Sequence, residues 1–164
     1  MKHILITGAR SGIGLELAKT FTANGWMVTA CCKDANQFPS EARLENIHVQ
    51  SLDVTDQRSI NALAHDLEAT SLDVLVNCAG LFDSKTNTVD DDVVLATVDE
   101  LTPIFQVNAV APWLLADRLA PALERGVDKL VVTISSVMGT HAAMDDYHAA
   151  HWAYGASKGA VFYA

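Results

Sequence analysis

Tyr154-Gly155-Ala156-Ser157-Lys158 stands near the end of the chain, and a serine pair, Ser135-Ser136, closes a hydrophobic run upstream. A tyrosine four residues before a lysine puts a phenol and an ammonium on one helix face, one turn apart. A cation in that position favours the phenolate and lowers a pKa that is otherwise about 10. Tyr154 is therefore a candidate proton donor and acceptor near neutral pH. The spacing alone is common on ordinary helix surfaces. Its weight depends on the elements that would have to position it.

The first such element is at the start of the chain. His3-Ile4-Leu5-Ile6 is a short apolar run of the kind that becomes a buried parallel strand. Thr7-Gly8-Ala9-Arg10-Ser11-Gly12-Ile13-Gly14 follows, and Leu15 to Phe21 reads as a helix with Ile13, Leu17 and Phe21 along one side. Glycines let the backbone turn tightly, approach a phosphate and pack helix against strand, while the helix N-terminus offers N–H donors. Strand, turn and helix fall where a dinucleotide needs them.

These residues, taken together, resemble the short-chain dehydrogenases/reductases, nearly from end to end. The motifs are the T-G-x-x-x-G-x-G turn from Thr7 to Gly14, Asp53 with Val54 after the third strand, and Asn77-Cys78-Ala79-Gly80. The last of these has a cysteine where the family has a second asparagine. Asn108, Ser136, Tyr154 and Lys158 match the family's catalytic tetrad. The resemblance implies that Tyr154 exchanges a proton with a carbonyl or alcohol oxygen as hydride moves to or from a nicotinamide. Lys158 would lower the phenol's pKa and hold ribose hydroxyls, Ser136 would hydrogen-bond the substrate oxygen, and Asn108 would hold a water in a proton relay. Gly8, Arg10, Ser11, Gly12, Ile13, Gly14, Asp53, Val54, Asn77, Ala79 and Gly80 would contact the cofactor, with Tyr154 and Lys158 at its nicotinamide end. Taken singly, Ser135 or Ser136 reads equally as a turn cap and Asn108 as a helix breaker.

Cofactor choice turns on the end of strand two, where an acid accepts hydrogen bonds from the adenosine ribose 2′-OH and a basic residue neutralises a 2′-phosphate. This chain has Cys31-Cys32-Lys33-Asp34. Cys32 takes the place of the acid, Lys33 follows, and Arg10 adds a second positive charge, so NADP(H) is expected over NAD(H). A one-residue shift in the turn would bring Asp34 towards the ribose instead.

Along the chain, strands alternate with helices. Strands are expected at Met27–Cys32, Ile47–Leu52, Asp73–Ala79 and Lys129–Ser135. A helix capped by Thr55 is expected from Asp56 to Ala69, with Ile60, Leu63, Ala64 and Leu67 buried. A second helical region, broken near Pro112, runs through Trp113, Leu115, Leu119 and Leu123. Leu81 to Val98 reads as an acidic excursion at the sheet's carboxyl edge. This alternation calls for an α/β fold, a doubly wound parallel sheet of Rossmann type in the order 3-2-1-4-5. The 164 residues are read as one domain.

The chain ends inside the helix opened by Tyr154, while the family's members continue with further strands and a substrate lid. Strand five is apolar on both faces, and at an edge it would present unpaired backbone groups. An incomplete chain with the later strands missing is the preferred explanation; a short natural form that dimerises over the open edge is the alternative.

Composition sets the remaining bounds. Half of the residues are hydrophobic and net charge is −9 with no Lys/Arg cluster, so nucleic acid and anionic membranes are not expected partners. Cys31, Cys32 and Cys78 form no C-x-x-C and read as reduced core thiols. Met1 leads straight into the first strand, and a cytoplasmic location is expected. No metal is expected, since Asp90-Asp91-Asp92 reads as a solvated loop and His148 with His151 lacks a third ligand. Ser136 and Tyr154 lie eighteen positions apart, more than is usual in the family, and the excess from Met144 to Trp152 reads as a loop at the substrate mouth with Trp152 as a wall. Tyr147 is followed four residues on by His151 rather than lysine, so Tyr154 remains the acid. The expected substrate is a small or medium carbonyl compound or secondary alcohol. The family implies homo-oligomers through the helix of Trp113 to Leu123 and the one near Tyr154. The rival expectation is a nucleotide-binding or interaction module that performs no chemistry.

Overall fold

The computed structural model describes residues 1–82, 97–140 and 151–163. Two units divide the chain: Met1–Ala79 with Leu114–Ile134, and Gly80–Trp113 with Ser135–Ala164. The aspartate run, Tyr147, His148 and most of both expected loops lie outside the described residues.

The first unit is built on five parallel strands: β1 (His3–Thr7), β2 (Met27–Cys32), β3 (Ile47–Ser51), β4 (Val74–Asn77) and β5 (Leu130–Thr133). Their order is β3-β2-β1-β4-β5, with Ile6 beside Ala30 on one side and Val76 on the other, and Asn77 beside Thr133. Successive side chains point to opposite faces, so the central runs must be apolar throughout if both faces are covered. That is what His3–Thr7 shows: every residue is buried. Ile4, Ile6, Val28 and Ala30 join Ala18 of helix α1 (Gly12–Ala23) in one core. Leu5, Cys31 and Leu75 join Ile60 and Leu63 of α2 (Gln57–Asp66) and Leu115, Leu119 and Leu123 of α4 (Ala111–Glu124) in the other. Each fully buried leucine contributes roughly 1.5–3 kcal/mol. At its foot the sheet is tied by the Asp73 carboxylate, which accepts the N–H of His3 at 2.7 Å and of Val127 at 2.6 Å.

Leu15, Leu17 and Phe21 of α1 pack against the core beside the buried Gly14 and Ala18, while Ile13 is 61% exposed. A Cβ on Gly14 would stand 2.5 Å from the Gly8 carbonyl oxygen, so only glycine fits that contact. Two local expectations are corrected. The α2 cap is Asp56, whose carboxylate accepts the Arg58 N–H, because Thr55 is already committed to Asp53. Finally, the helical region does not break at Pro112. The irregular turn lies one step earlier, at Gln106–Val110, where the bonding widens to five residues and the Ala111 N–H reaches the Gln106 carbonyl. β5 is an edge strand here, with Leu130 and Val131 exposed.

In the second unit, α3 (Val98–Phe105) opens with a reciprocal cap. Thr97 accepts the Glu100 N–H, while the Glu100 carboxylate accepts the Thr97 N–H at 2.9 Å. The wide turn follows and carries Asn108. A one-turn helix at Val137–Gly139 leads from Ser136, and α5 (Trp152–Ala160) bears Tyr154 and Lys158. Among the described residues no helix is long and apolar enough to cross a membrane.

Candidate active site

In the first unit the glycine turn is shaped by its backbone. Gly8 and Gly12 have φ of 66° and 57°, a region costly for residues with a Cβ. A Cβ on Gly8 would meet the Cα of Ala79 at 2.8 Å, whereas at Gly12 it would meet nothing within 4 Å. Gly8 therefore secures a close approach between the turn and the end of β4, and Gly12 faces open space. Ser11 precedes α1 in extended conformation, and its hydroxyl makes no capping bond. The first turn of α1 contains no acidic residue, so its N–H donors at Gly12, Ile13 and Gly14 face no competing carboxylate of their own helix. Thr7, the first residue of the turn motif, holds the neighbouring strand end: its Oγ1 accepts the N–H groups of Cys78 and Ala79, both at 3.0 Å. Asn77 donates to the Thr133 hydroxyl at 3.4 Å.

At the end of β2, Cys32 is buried and Lys33 is exposed. Lys33 Nζ lies 2.7 Å from Asp53, which also accepts the Thr55 hydroxyl at 2.7 Å. The Lys33 hydrogen bond, followed by those from Thr55, pulls the Asp53 carboxyl down to about 2, and Asp53 in turn raises the Lys33 ammonium. Val54 beside it is half-buried. Asp34 turns back on its own chain. It accepts the Asn36 N–H at 2.9 Å and the Gln37 amide at 3.1 Å, while Arg10 donates to the Gln37 carbonyl oxygen at 2.8 Å. Burial raises the Cys32 thiol, against the opposing influence of the Arg10 and Arg43 charges. Burial also pushes the Cys31 thiol upward. None of the three cysteines is in a disulfide.

The second unit gathers Asn108, Lys158, Tyr154 and Gly80. Asn108 is buried with all its amide valences directed. Its Oδ1 accepts the Leu81 N–H at 2.8 Å, and its Nδ2 donates to the Leu81 carbonyl at 2.8 Å and the Ser157 hydroxyl at 2.9 Å. Ser157 in turn donates to the Tyr154 carbonyl at 2.8 Å. A Cβ on Gly80 would stand 3.4 Å from Asn108 Oδ1 and 3.7 Å from Lys158 Nζ, so both side chains reach the same exposed glycine. Lys158 is buried, with Nζ 5.8 Å from the centre of the half-buried Tyr154 ring. Phe82 stands against both Tyr154 and His151, with ring centres 4.8 and 4.5 Å apart. The Ser136 hydroxyl accepts the Met138 N–H at 3.2 Å, and its turn presses on α5. A methyl on Gly155 would meet the Met138 carbonyl at 2.8 Å, and one on Gly139 would meet the Lys158 backbone at 2.7 Å. The Ser135 hydroxyl donates to the Lys158 carbonyl. Ser157 and Phe82 were not singled out in the sequence: Ser157 sits inside the Tyr–Lys interval and carried a signal, whereas Phe82 carried none.

A parallel nucleotide-type sheet with a glycine turn, and a Tyr–Lys helix anchored to an asparagine, define an oxidoreductase-like α/β protein. The family model described as short chain dehydrogenase matches residues 2–163, and the chain belongs to that family. It is 34% identical to Protein FixR of Bradyrhizobium diazoefficiens over 98% of this chain and 58% of that protein. Retinol dehydrogenase 12 of Mus musculus is 29% identical over 83% of this chain and 43% of its own length. Among solved structures, the NADPH-bound carbonyl reductase from chicken fatty liver aligns with a TM-score of 0.81 and 27% identity, covering 98% of this chain and 70% of that one. The chain spans about half the length of the curated relatives it matches. The short-chain dehydrogenases are oxidoreductases that bind a nicotinamide cofactor, and the glycine turn with its open side at Gly12 fits one.

Proposed function

We propose that the protein is an NADP(H)-dependent oxidoreductase interconverting a carbonyl compound and a secondary alcohol. The observation that carries this reading is the arrangement of Asn108, Lys158 and Tyr154 in one unit, with Asn108 and Lys158 both against Gly80. When bound, the cofactor supplies or accepts the hydride. Tyr154 donates the proton to the carbonyl oxygen or removes it from the alcohol. The Lys158 charge favours the phenolate and so brings the phenol towards neutral pH. Ser136 hydrogen-bonds the substrate oxygen as charge develops there. Asn108 holds the Lys158 side of the site, where a water would complete a proton relay to the lysine. Phe82, partly exposed beside Tyr154, forms an apolar wall that favours carbonyl compounds with a flat apolar substituent.

For the cofactor, Gly8, Ser11, Gly12, Ile13 and Gly14 present backbone donors to the pyrophosphate. Asp53 and Val54 border the adenine, and Asn77, Ala79 and Gly80 follow the chain towards the nicotinamide. Arg10 and Lys33 supply positive charge where NADP carries its extra phosphate, and the NADPH-bound relative supports that preference. Exposed Val110 and Trp113, three residues apart on one helical face, support self-association, which sedimentation would read as a dimer or larger.

The test is NADPH-dependent reduction of an aryl ketone panel by the purified chain beside its Tyr154→Phe variant, with NADPH binding followed by nicotinamide fluorescence. Turnover abolished in the variant with binding retained is the expected result. Saturable binding with no turnover of any carbonyl by the parent chain would favour a nucleotide-binding module instead.

A further inference from the structure

Resting on the NADP(H) reading, we propose that Arg43 is the residue that, with Arg10, distinguishes a 2′-phosphorylated adenosine from a plain one. Lys33 is the obvious cation by position, but its Nζ is held at 2.7 Å by Asp53. The two arginines differ. Among the described residues neither Arg10 nor Arg43 forms an ion pair, and both are exposed.

Both also reach the same short stretch after β2. Arg10 donates to the Gln37 side chain at 2.8 Å, and Arg43 donates through one terminal nitrogen to the Ala35 carbonyl at 2.5 Å. The Arg43 guanidinium lies 5.8 Å from the centre of the Phe38 ring, a cation–π contact that holds it near this stretch. These contacts hold both guanidinium groups against the turn that follows Cys32, the last residue of β2, and it is beside that strand end that this fold holds the adenosine ribose. Of the two nearby carboxylates, Asp53 is paired with Lys33, and Asp34 accepts from Asn36 and Gln37 and keeps its charge. Two guanidinium groups with no carboxylate partner outweigh that single charge and suit a phosphate dianion. A fork of N–H donors binds phosphate oxygens in pairs, which an ammonium cannot do.

The experiment is calorimetric titration of the purified chain with NADPH, NADH, 2′,5′-ADP and 5′-AMP, for the parent and for Arg43→Gln, Arg43→Lys and Lys33→Gln. The parent should bind NADPH and 2′,5′-ADP more tightly than NADH and 5′-AMP. R43Q should weaken the two 2′-phosphorylated ligands about tenfold or more and shift the other two by no more than about twofold. R43K should recover only part of the loss, and K33Q should lose less than R43Q. Equal weakening of all four ligands by R43Q would assign Arg43 a structural role and overturn the proposal, as would no change in any. A parent chain that prefers NADH would overturn the NADP(H) reading itself, whatever Arg43 does.

Discussion

The two units hold their functional groups by different means. In the unit of Met1–Ala79 and Leu114–Ile134, position is set by backbone: parallel strands, two glycines at positive φ, and a turn too close to β4 for a methyl at Gly8. In the unit of Gly80–Trp113 and Ser135–Ala164, position is set by side chains: Asn108 to Leu81 and Ser157, Ser135 to Lys158, Phe82 against Tyr154. A nucleotide's phosphates are read by N–H groups, which any sequence carries once the chain is bent correctly. Proton transfer needs particular side chains, and these need other side chains to aim them. The difference predicts where substitutions should act.

The largest expected effect is on chemistry. Tyr154→Phe should lower the rate of carbonyl reduction by about 10²–10⁴-fold while leaving NADPH affinity and melting temperature unchanged. Loss of affinity as well would blur the division between the units. Next is the glycine pair. Gly8→Ala combines a strained φ with an unavoidable backbone clash and should cost about 3 kcal/mol or more in urea unfolding, with NADPH binding lost. Gly12→Ala, open to solvent, should cost only about 1–2 kcal/mol from the strained φ. Equal costs would mean that conformation, not approach to Ala79, governs the turn.

Asn108→Ala leaves the Leu81 backbone groups and the Ser157 hydroxyl without their partner and should cost about 2–4 kcal/mol. Under folding conditions its NADPH dissociation constant should stay within about threefold of the parent's, since the turn proposed to read the phosphates belongs to the other unit. A collapse of nucleotide affinity would break the comparison. The smallest effect concerns Asp53. Its folded pKa, about 2, lies below the ordinary 3.8, so it contributes stability that is complete above about pH 4 and is lost as pH falls towards 2. Asp53→Asn should flatten that part of a stability–pH curve by lowering its neutral plateau towards the acid level, and the drop should be small because the ion pair with Lys33 is solvent-screened. An unchanged acid limb would show that the carboxylate is not held by its neighbours.

Much of the first unit was legible in the sequence. Apolar runs such as His3–Ile6 and Met27–Cys32 are short and bounded by turn residues, which suits strands covered on both faces, and they form β1 and β2. On α1 the side carrying Leu17 and Phe21 packs against the core, but Ile13 at its start is exposed, and the close contact of Gly14 with the turn at Gly8 could be seen only in the folded chain. Pro112 drew the helix break to itself. A proline near the start of a helix costs little, and the irregularity falls earlier, at the turn holding Asn108. Asn108 itself could be located by its motif. Its bonds could not, since Leu81 and Ser157 are 27 and 49 residues away. Arg43 lies in a polar stretch with no periodicity, and only the folded chain brings it to the turn at Ala35.

Those bonds at Asn108 have a consequence in time. A ribosome adding about 5–20 residues per second delivers Ser157 roughly 2–10 seconds after Asn108. For that interval Leu81 can already pair with the amide, but the second acceptor has not been made. The helix that brings Ser157 also brings Tyr154 and Lys158. The anchor is completed by the arrival of the groups it positions, so the nascent chain holds no finished clasp before it holds the acid.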